Sequence, residues 1–327
     1  MSPIMRRQFV AMTALSLSVP ALSLAQDFPG RPIRMLVGFA PGGPTDILAR
    51  LTALAMGKAL GQSVVVENRP GAGGAVAAQA LARAEPDGYT IMFAGDGQLT
   101  LLPQLSASAG YDTLRDYAVI RTVAGQSNVL MANRSSGITD MASLLRIAKE
   151  QPDKLSFGSA GNGTPSHLVG ALFEDATGTR LLHAPYRGAG PAMADFLAGR
   201  LDLMFVGMPV ALQNALDKKL SILATTGRRR SALLPDVPTF FELGIQGLGE
   251  DTDVWWAVAA PVATPSSIQA RLDSALRTAL QEPTVRQSFD KLGVDLLERA
   301  SAASVVQIKS DQARWARLLK AGKIRIE

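Results

Sequence analysis

The sequence of 327 residues has no cysteine, only two histidines and few aromatic residues. Without cysteine the chain has no disulfide bond and no cysteine–histidine metal cluster. Apart from Arg228-Arg229-Arg230, the slight excess of basic residues is spread along the chain, so nucleic-acid binding is not expected. Beyond the N-terminal segment, no run is long and apolar enough to cross a bilayer. The sequence implies no cofactor and no metal, and stability must come from packing.

The N-terminal segment has the parts of a secretory signal peptide. Arg6 and Arg7 precede an apolar run over residues 9–24, and Ser23-Leu24-Ala25 supplies small residues at a cleavage site. We predict a signal peptide over residues 1–25 and a periplasmic mature protein; the alternative is an N-terminal anchor helix. The paired arginines also fit a twin-arginine signal.

Short β-like runs alternate with amphipathic helical runs along most of the mature chain. This alternation predicts an α/β protein with parallel sheets covered by helices. The predicted strands are 33–39, 64–67, 90–94, 118–123, 128–132, 155–159, 180–183, 202–206, 221–225 and 254–260. The predicted helices are 45–60, 75–83, 139–150, 165–177, 190–198 and 209–217. Everything from Thr264 onward is predicted to be helical, with Val305, Ile308, Trp315 and Leu319 at helical spacing.

Two β-rich stretches, 118–132 and 253–261, are predicted crossovers between two lobes. Lobe 1 would then hold residues 26–124 and 253–327, and lobe 2 would hold 125–252. Two lobes joined by two strands enclose a ligand cleft and close by hinge bending.

A glycine turn joins the first predicted strand to the first predicted helix. It reads Ala40-Pro41-Gly42-Gly43-Pro44-Thr45-Asp46. At a helix N-terminus, unpaired N–H groups and the positive end of the helix dipole favour an anion. Gly42 and Gly43 have no Cβ, so a ligand can approach their backbone closely. The alternative is an ordinary strand–helix connection.

A second glycine turn follows Leu155-Ser156-Phe157. It reads Gly158-Ser159-Ala160-Gly161-Asn162-Gly163-Thr164-Pro165. Thr164 is a predicted N-cap and Pro165 a predicted first helical residue. Since ligands bind at the carboxyl edge of α/β sheets, the two turns are expected to face each other and hold the ends of a small dianion. Either turn alone fits an ordinary connection, whereas the pair behind a signal peptide favours binding.

The segment after the strand at 180–183 offers two further polar groups. Tyr186 is a candidate hydroxyl donor, and Arg187 is a candidate charge-assisted partner of a carboxylate. The alternative for Arg187 is a surface salt bridge.

Catalytic patterns are incomplete. Phe157 stands where Gly-x-Ser-x-Gly around Ser159 requires glycine. His167 is predicted to be a capping or pocket residue and not a base. The alternative is an exported hydrolase of an acidic ester that uses Ser159 with His167, although no orienting acid is identified.

Several segments together resemble the extracytoplasmic solute receptors of the tripartite tricarboxylate transporter family, the TctC-like Bug receptors. The segments occur in order over essentially the whole mature chain: Phe28-Pro29-Gly30-Arg31-Pro32-Ile33-Arg34, Phe39-Ala40-Pro41-Gly42-Gly43-Pro44-Thr45-Asp46, Val66-Glu67-Asn68-Arg69-Pro70-Gly71-Ala72-Gly73-Gly74, Pro86-Asp87-Gly88-Tyr89-Thr90, Gly161-Asn162-Gly163-Thr164-Pro165-Ser166-His167-Leu168, Pro185-Tyr186-Arg187-Gly188 and Leu234-Pro235-Asp236-Val237-Pro238-Thr239.

The resemblance implies a type II-like periplasmic binding protein fold, in which two lobes joined by two crossover strands capture a small carboxylate without catalysis. It also implies delivery to the membrane subunits of a tripartite transporter; the alternative is a receptor that signals through another partner. We expect a monomer. With the family's ligand loops mapped onto this sequence, the expected ligand-binding residues are Phe39, Ala40, Pro41, Gly42, Gly43, Pro44, Thr45, Asp46, Ser159, Ala160, Gly161, Asn162, Gly163, Thr164, His167 and Tyr186. Asp96 and Gln98, after the strand at 90–94, are further candidates for ligand binding.

The sequence departs from the family pattern after the strand at 90–94. There, Gly95-Asp96-Gly97-Gln98-Leu99-Thr100 replaces the small hydroxyl residues and Thr-His of relatives. If Asp96 faces the cleft, it would repel a carboxylate and pair with a ligand ammonium, which favours an amino acid or an amide-bearing acid. The alternative is that Asp96 caps the following short helix and faces solvent.

Overall fold

The structure is a computed structural model that describes residues 28–105, 109–186, 188–215, 218–227, 229–248 and 254–322. The predicted signal peptide and Arg187 lie outside the described residues. Within the part of the chain that is described, no helix is long and apolar enough to cross a membrane.

The helices and strands follow the predicted alternation closely as far as residue 261. The strands are β1 (Ile33–Val37), β2 (Val64–Asn68), β3 (Thr90–Gly95), β4 (Tyr117–Gln126), β5 (Asn128–Asn133), β6 (Ser156–Ser159), β7 (Leu182–Pro185), β8 (Leu203–Gly207), β9 (Leu220–Thr225), β10 (Val254–Pro261) and β11 (Asp295–Ala300). The helices are α1 (Pro44–Leu60), α2 (Ala75–Ala82), α3 (Asp96–Thr100), α4 (Leu102–Leu105), α5 (Thr113–Asp116), α6 (Met141–Glu150), α7 (Pro165–Thr177), α8 (Ala189–Leu197), α9 (Met208–Asn214), α10 (Ser266–Gln281), α11 (Pro283–Lys291) and α12 (Ser301–Lys320).

The strands form two mixed sheets. A six-stranded sheet has the order β11-β4-β10-β3-β1-β2, and a five-stranded sheet has the order β7-β6-β8-β5-β9. Parallel pairs such as β1–β3 and β6–β8 were expected, but β10 runs antiparallel to β3 and β5 runs antiparallel to β8. The predicted parallel pairing therefore holds for part of each sheet, and the strands that cross between the sheets add antiparallel pairs. A strand that arrives from the other sheet enters at the carboxyl edge, so it must run against its neighbours.

The chain crosses between the two sheets in two places. β4 stays in the six-stranded sheet up to Gln126 and β5 starts the other sheet at Asn128, so Ser127 alone connects them. The second passage leads from β9 to β10. β4 extends two residues beyond the predicted lobe boundary between residues 124 and 125.

The expectation that the C-terminal part is wholly helical is wrong. β11 lies between α11 and α12 and pairs antiparallel with β4. Its sequence, Asp-Leu-Leu-Glu-Arg-Ala, is not β-like, and Glu298 has a positive φ of 40° where the register shifts. Pairing with the exposed edge of β4 overrides the local propensity, as is common for edge strands.

Helices cover both faces of the six-stranded sheet, and two adjacent tryptophans on β10 mark the faces. Trp256 packs in an apolar cluster with Leu48 of α1 and Leu276 of α10. Trp255 packs on the opposite face with Ala78 of α2 and Ile308 of α12.

The buried stripe of α12 differs in part from the predicted one. It consists of Ser304, Ile308, Asp311, Trp315 and Leu318. Two polar residues point inward because each is hydrogen-bonded: the Ser304 hydroxyl bonds Thr122 Oγ1 at 2.8 Å, and Asp311 accepts from Trp255 Nε1 at 3.0 Å. Trp315 and Leu318 reach the apolar cluster around the five-stranded sheet.

Candidate functional site

The first glycine turn is open to solvent. Ala40, Pro41, Gly42 and Pro44 are exposed. α1 begins at Pro44 after Gly43, and no described side chain makes a hydrogen bond at this cap. The first-turn N–H groups of α1 therefore remain available to water or to a ligand.

Asp46 is a structural member of this turn. It is 3% exposed, and its carboxylate accepts hydrogen bonds from Gly42 N at 2.9 Å, Asn68 Nδ2 at 2.8 Å and Arg50 Nε at 2.9 Å. Burial opposes ionisation, but these bonds outweigh it and lower the pKa of Asp46. Asn68 also donates to Phe39 O at 3.0 Å. The carboxylate thus fixes the shape of the turn, and Arg50 compensates its charge.

The second turn has the predicted helix start. Thr164 occupies the N-cap position of α7 and Pro165 is its first residue. The predicted capping bond is absent among the described residues, because the Thr164 hydroxyl donates to Gly161 O at 2.6 Å. Ser166 Oγ accepts from Ala160 N at 3.1 Å and ties the turn to the helix. Like α1, α7 starts without a side-chain cap.

Two stacked histidines lie beneath this turn. The rings of His167 and His183 are 4.2 Å apart and nearly parallel, at 9°. His167 Nδ1 accepts from Gly163 N at 3.0 Å, one residue before the N-cap, and so secures the turn and not the first-turn N–H groups of α7. Burial lowers the pKa of His167 to about 4, and burial together with His167 lowers the pKa of His183 to about 3. Both rings are therefore neutral at physiological pH.

The predicted pairing of Ser159 with His167 does not form. Ser159 Oγ lies 2.7 Å from His183 Nε2 and also accepts from Gly161 N at 3.1 Å. β6 and β7 are parallel, and Phe157 of β6 is paired with His183 of β7. Ser159 lies two residues after Phe157, so its side chain is on the same face of the sheet as His183. Ser159 is fully buried, so its hydroxyl supports the turn and is shielded from a substrate.

Tyr186 and Gln98 are also committed within the protein. The Tyr186 hydroxyl donates to Asp195 Oδ2 at 2.7 Å, so it is not a free donor. Gln98 is buried; its Nε2 donates to Gly74 O at 3.1 Å, and its Oε1 accepts from Gly95 N at 3.1 Å. Gln98 therefore braces the loop before α2 against the end of β3.

Asp96 does not have the solvent exposure that the alternative expectation gave it. It is only 8% exposed, so it does not face solvent, and its Oδ1 has no hydrogen-bond partner among the described residues. The side chain lines a small cavity with Trp255 and Asp311, on the face of the sheet opposite to α1. Burial foremost, and then the charge of Asp311, raise the pKa of Asp96 to about 7.

A third glycine loop, residues 71–74, takes part in the contact between the two halves of the molecule. Sequence reasoning did not place this loop in the candidate site. A Cβ on Gly73 would lie 3.6 Å from Asn162 O, and a Cβ on Gly97 would lie 3.0 Å from Gly163 O. Ala72 and Gly73 have positive φ values of 47° and 65°. The run Gly71-Ala72-Gly73-Gly74 carried a signal for this conformation, because glycine favours positive φ.

Comparison with known proteins gives the family. The model of the "Tripartite tricarboxylate transporter family receptor" matches residues 48–324. The solved structure of the periplasmic binding protein BugD is 34% identical, covers 92% of this chain and 100% of BugD, and has a TM-score of 0.81.

Two similar structures contain carboxylates. A Rhodopseudomonas palustris protein solved with adipate is 29% identical, covers 90% of this chain and 98% of its own, and has a TM-score of 0.81. MatC of the same organism, solved with bound malate, is 29% identical, covers 88% and 98%, and has a TM-score of 0.79. The chain belongs to the tripartite tricarboxylate transporter receptor family and is a solute-binding protein of that fold, as the resemblance predicted.

Proposed function

We propose that this receptor captures a small organic carboxylate in the periplasm and delivers it to the membrane subunits of a tripartite transporter. The relatives that contain adipate and malate support this ligand class. The ligand is released unchanged, because the Ser159 hydroxyl is buried in its own turn and no described carboxylate orients His183.

The observation that carries the proposal is the pair of glycine turns that open α1 and α7. Neither helix has a side-chain cap among the described residues, and the second turn touches the other half of the molecule at Gly97. Each helix dipole supplies about 0.3–1 kcal/mol when exposed and up to ~2 kcal/mol when partly buried. A micromolar complex needs roughly 8 kcal/mol, so direct N–H contacts and bridging waters supply most of the affinity.

The binding site is proposed to lie between two hinged lobes. Lobe 1 comprises residues 26–124 and 253–327, and lobe 2 comprises 125–252. The single-residue connection at Ser127 and the passage from β9 to β10 support a hinge there. Residues 39–46 line one side of the ligand and residues 159–167 the other.

The position of Asp96 favours a plain carboxylate over an amino acid as the ligand. Asp96 lies on the face of the sheet opposite to α1, which argues against its pairing with a ligand ammonium. Since Arg50 compensates the charge of Asp46, the first turn does not repel an anion.

Calorimetric titration of the protein without residues 1–25 tests the proposal. The panel is malate, adipate, succinate, citrate, aspartate and glutamate, with glucose as a neutral control and a monoester of succinate as a hydrolase substrate. Micromolar binding of at least one acid without ester turnover is expected. Binding of glucose with no heat from any acid, or ester turnover lost in Ser159→Ala, would overturn the proposal.

A transport assay separates delivery from sensing. A strain that lacks this receptor but keeps the membrane subunits should take up the bound acid only when the receptor is supplied. Uptake that is independent of the receptor, with acid-dependent gene expression that requires it, would favour the sensing alternative.

A further inference from the structure

We propose that Asp96 is a proton-binding site, and that lobe closure around a ligand takes up a proton there. The inference rests on the proposed function, because it concerns closure of the same two lobes.

The site is a cavity of about 10 Å³, room for a single water molecule. Asp96 is the first residue of α3, is more than nine-tenths buried, and has one carboxylate oxygen without a hydrogen-bond partner among the described residues. The cavity is lined by residues of both proposed lobes, with α12 on the lobe 1 side: Asp96, Pro165, Leu168, Val169, Leu172, Val254, Trp255, Asp311, Arg314 and Trp315.

Of the two charged groups at the cavity, Asp311 raises the pKa of Asp96 and Arg314 lowers it, and the effect of Asp311 is the larger. Asp311 on α12 is its anionic neighbour and accepts hydrogen bonds from Trp255 Nε1 at 3.0 Å and Gln307 Nε2 at 3.0 Å. Arg314 forms a salt bridge with Asp311 at 3.1 Å, and its positive charge also acts on Asp96. Among the described residues, α7 and β10 bring no charged side chain to the cavity. A proton on Asp96 removes the repulsion and supplies an O–H donor for a water or a neighbour.

The cavity closes when α7 docks. α12 is fastened to the α3–α4 segment, since Trp315 Nε1 donates to Thr100 Oγ1 at 3.0 Å and Gln104 Nε2 donates to Gln312 O at 3.1 Å. The other wall is the apolar face of α7, which belongs to the proposed lobe 2. When that lobe swings away, α7 leaves and water reaches Asp96.

The direction of the coupling follows from the cause of the shift. Burial is the largest contribution that raises the pKa of Asp96 from 3.8 to about 7 in this arrangement, and opening removes much of that burial. The closed state therefore binds a proton more tightly than the open state. By linkage, ligand affinity falls as pH rises, by about tenfold between pH 6 and pH 8.

Proton-linked calorimetry tests the inference with malate and adipate as probes. Titrations at pH 6, 7 and 8 in two buffers of different ionisation enthalpy give the protons exchanged per ligand bound. The intact receptor should take up nearly one proton at pH 6, roughly half at pH 7 and little at pH 8. Asp96→Asn, which mimics the neutral acid, should take up none and bind independently of pH. Asp236→Asn, an exposed carboxylate far along lobe 2, is the matched control and should behave as the intact receptor.

A second variant keeps the inference testable if Asp96→Asn does not fold. Asp311→Asn keeps one of the two oxygens that accept from Trp255 and Gln307 and removes the nearby negative charge, so the pH dependence should move to lower pH. Binding without proton uptake, or proton uptake that persists in Asp96→Asn, overturns the inference and leaves the proposed function intact. If the full acid panel described above gives no binding, the proposed function fails and this inference with it.

Discussion

Trp256 Nε1 donates a hydrogen bond of 3.0 Å to Thr45 Oγ1, across 211 positions of sequence. The bond joins β10, the strand that returns from the other sheet, to the first turn of α1. Together with the hydrogen bond from Asn68 of β2 to Asp46, this bond holds the N-terminus of α1 against the sheet.

Removing that bond should loosen the proposed anion site. Thr45→Val leaves the buried indole N–H unsatisfied, and we expect it to lower the free energy of unfolding by about 1–3 kcal/mol and to weaken carboxylate binding. Urea unfolding and calorimetry check this, with Thr278→Val on the exposed face of α10 as control. A double-mutant cycle with Trp256→Phe should give a coupling of about 0.5–1.5 kcal/mol. A coupling of zero would mean that the bond contributes nothing.

Gly97 should be required for closure of the lobes. A methyl group there would lie 3.0 Å from Gly163 O, which is tighter than ordinary contacts, and Gly97 has no positive φ that would forbid alanine. We expect Gly97→Ala to weaken ligand binding about tenfold, or ~1.4 kcal/mol, by overpacking the closed state. Gly190→Ala on α8, with open space around its Cβ, is the matched control. Equal affinities for the two variants would show that closure does not bring these backbones together.

The ionised carboxylate of Asp46 should stabilise the folded protein at neutral pH, and this contribution should be lost in acid. Its pKa is lowered in the folded state, so its contribution is present above the unfolded value near 3.8 and is lost as pH falls through the folded value. We expect Asp46→Asn to cost about 1–2 kcal/mol at pH 7, at the low end for charged hydrogen bonds because Arg50 is half exposed. The difference from the unmodified protein should shrink in urea unfolding at pH 3–4. A constant difference over that range would assign the loss to packing.

The stacked histidines should make the protein sensitive to mild acid. Both pKa values are lowered on folding, so stability is complete above the unfolded value near 6.5 and falls as pH decreases toward 4. Each histidine adds up to ~1.4 kcal/mol per pH unit to this slope. His183→Gln keeps a hydrogen-bond partner for Ser159. Between pH 6.5 and 4.5 it should reduce the slope of the free energy of unfolding against pH by up to ~1.4 kcal/mol per pH unit, the effect of one bound proton. An unchanged slope would mean that His183 does not resist protonation.

Local patterns in the sequence were enough for most of the scaffold. The alternation of runs predicted ten strands in nearly their observed places, and Thr164-Pro165 marked the start of α7. β11 was missed because its residues favour helix, and only the free edge of β4 makes them a strand.

The candidate site was harder to predict because its contacts join distant residues. Ser159 meets His183 through the register of β6 and β7, which no spacing along the chain reveals. Sequence reasoning assigns Asp96 to solvent or to a ligand, since it has no way to see an acid enclosed by α7 and α12. Likewise, Gly73 meets Asn162 only once the two sheets are packed together.

The contacts of α12 with both halves of the molecule have a consequence for the ligand-free receptor. Trp315 is anchored to α3 by its hydrogen bond to Thr100 Oγ1, and Trp315 and Leu318 bury their side chains in the apolar cluster around the five-stranded sheet. Burying such side chains stabilises closure even without a ligand, by about 25 cal/mol for each Å² removed from water. A fraction of empty receptors should therefore resemble loaded ones. In the proposed mechanism, a ligand then shifts an existing population of closed receptors, and a partner protein would distinguish loaded from empty receptors by that shift.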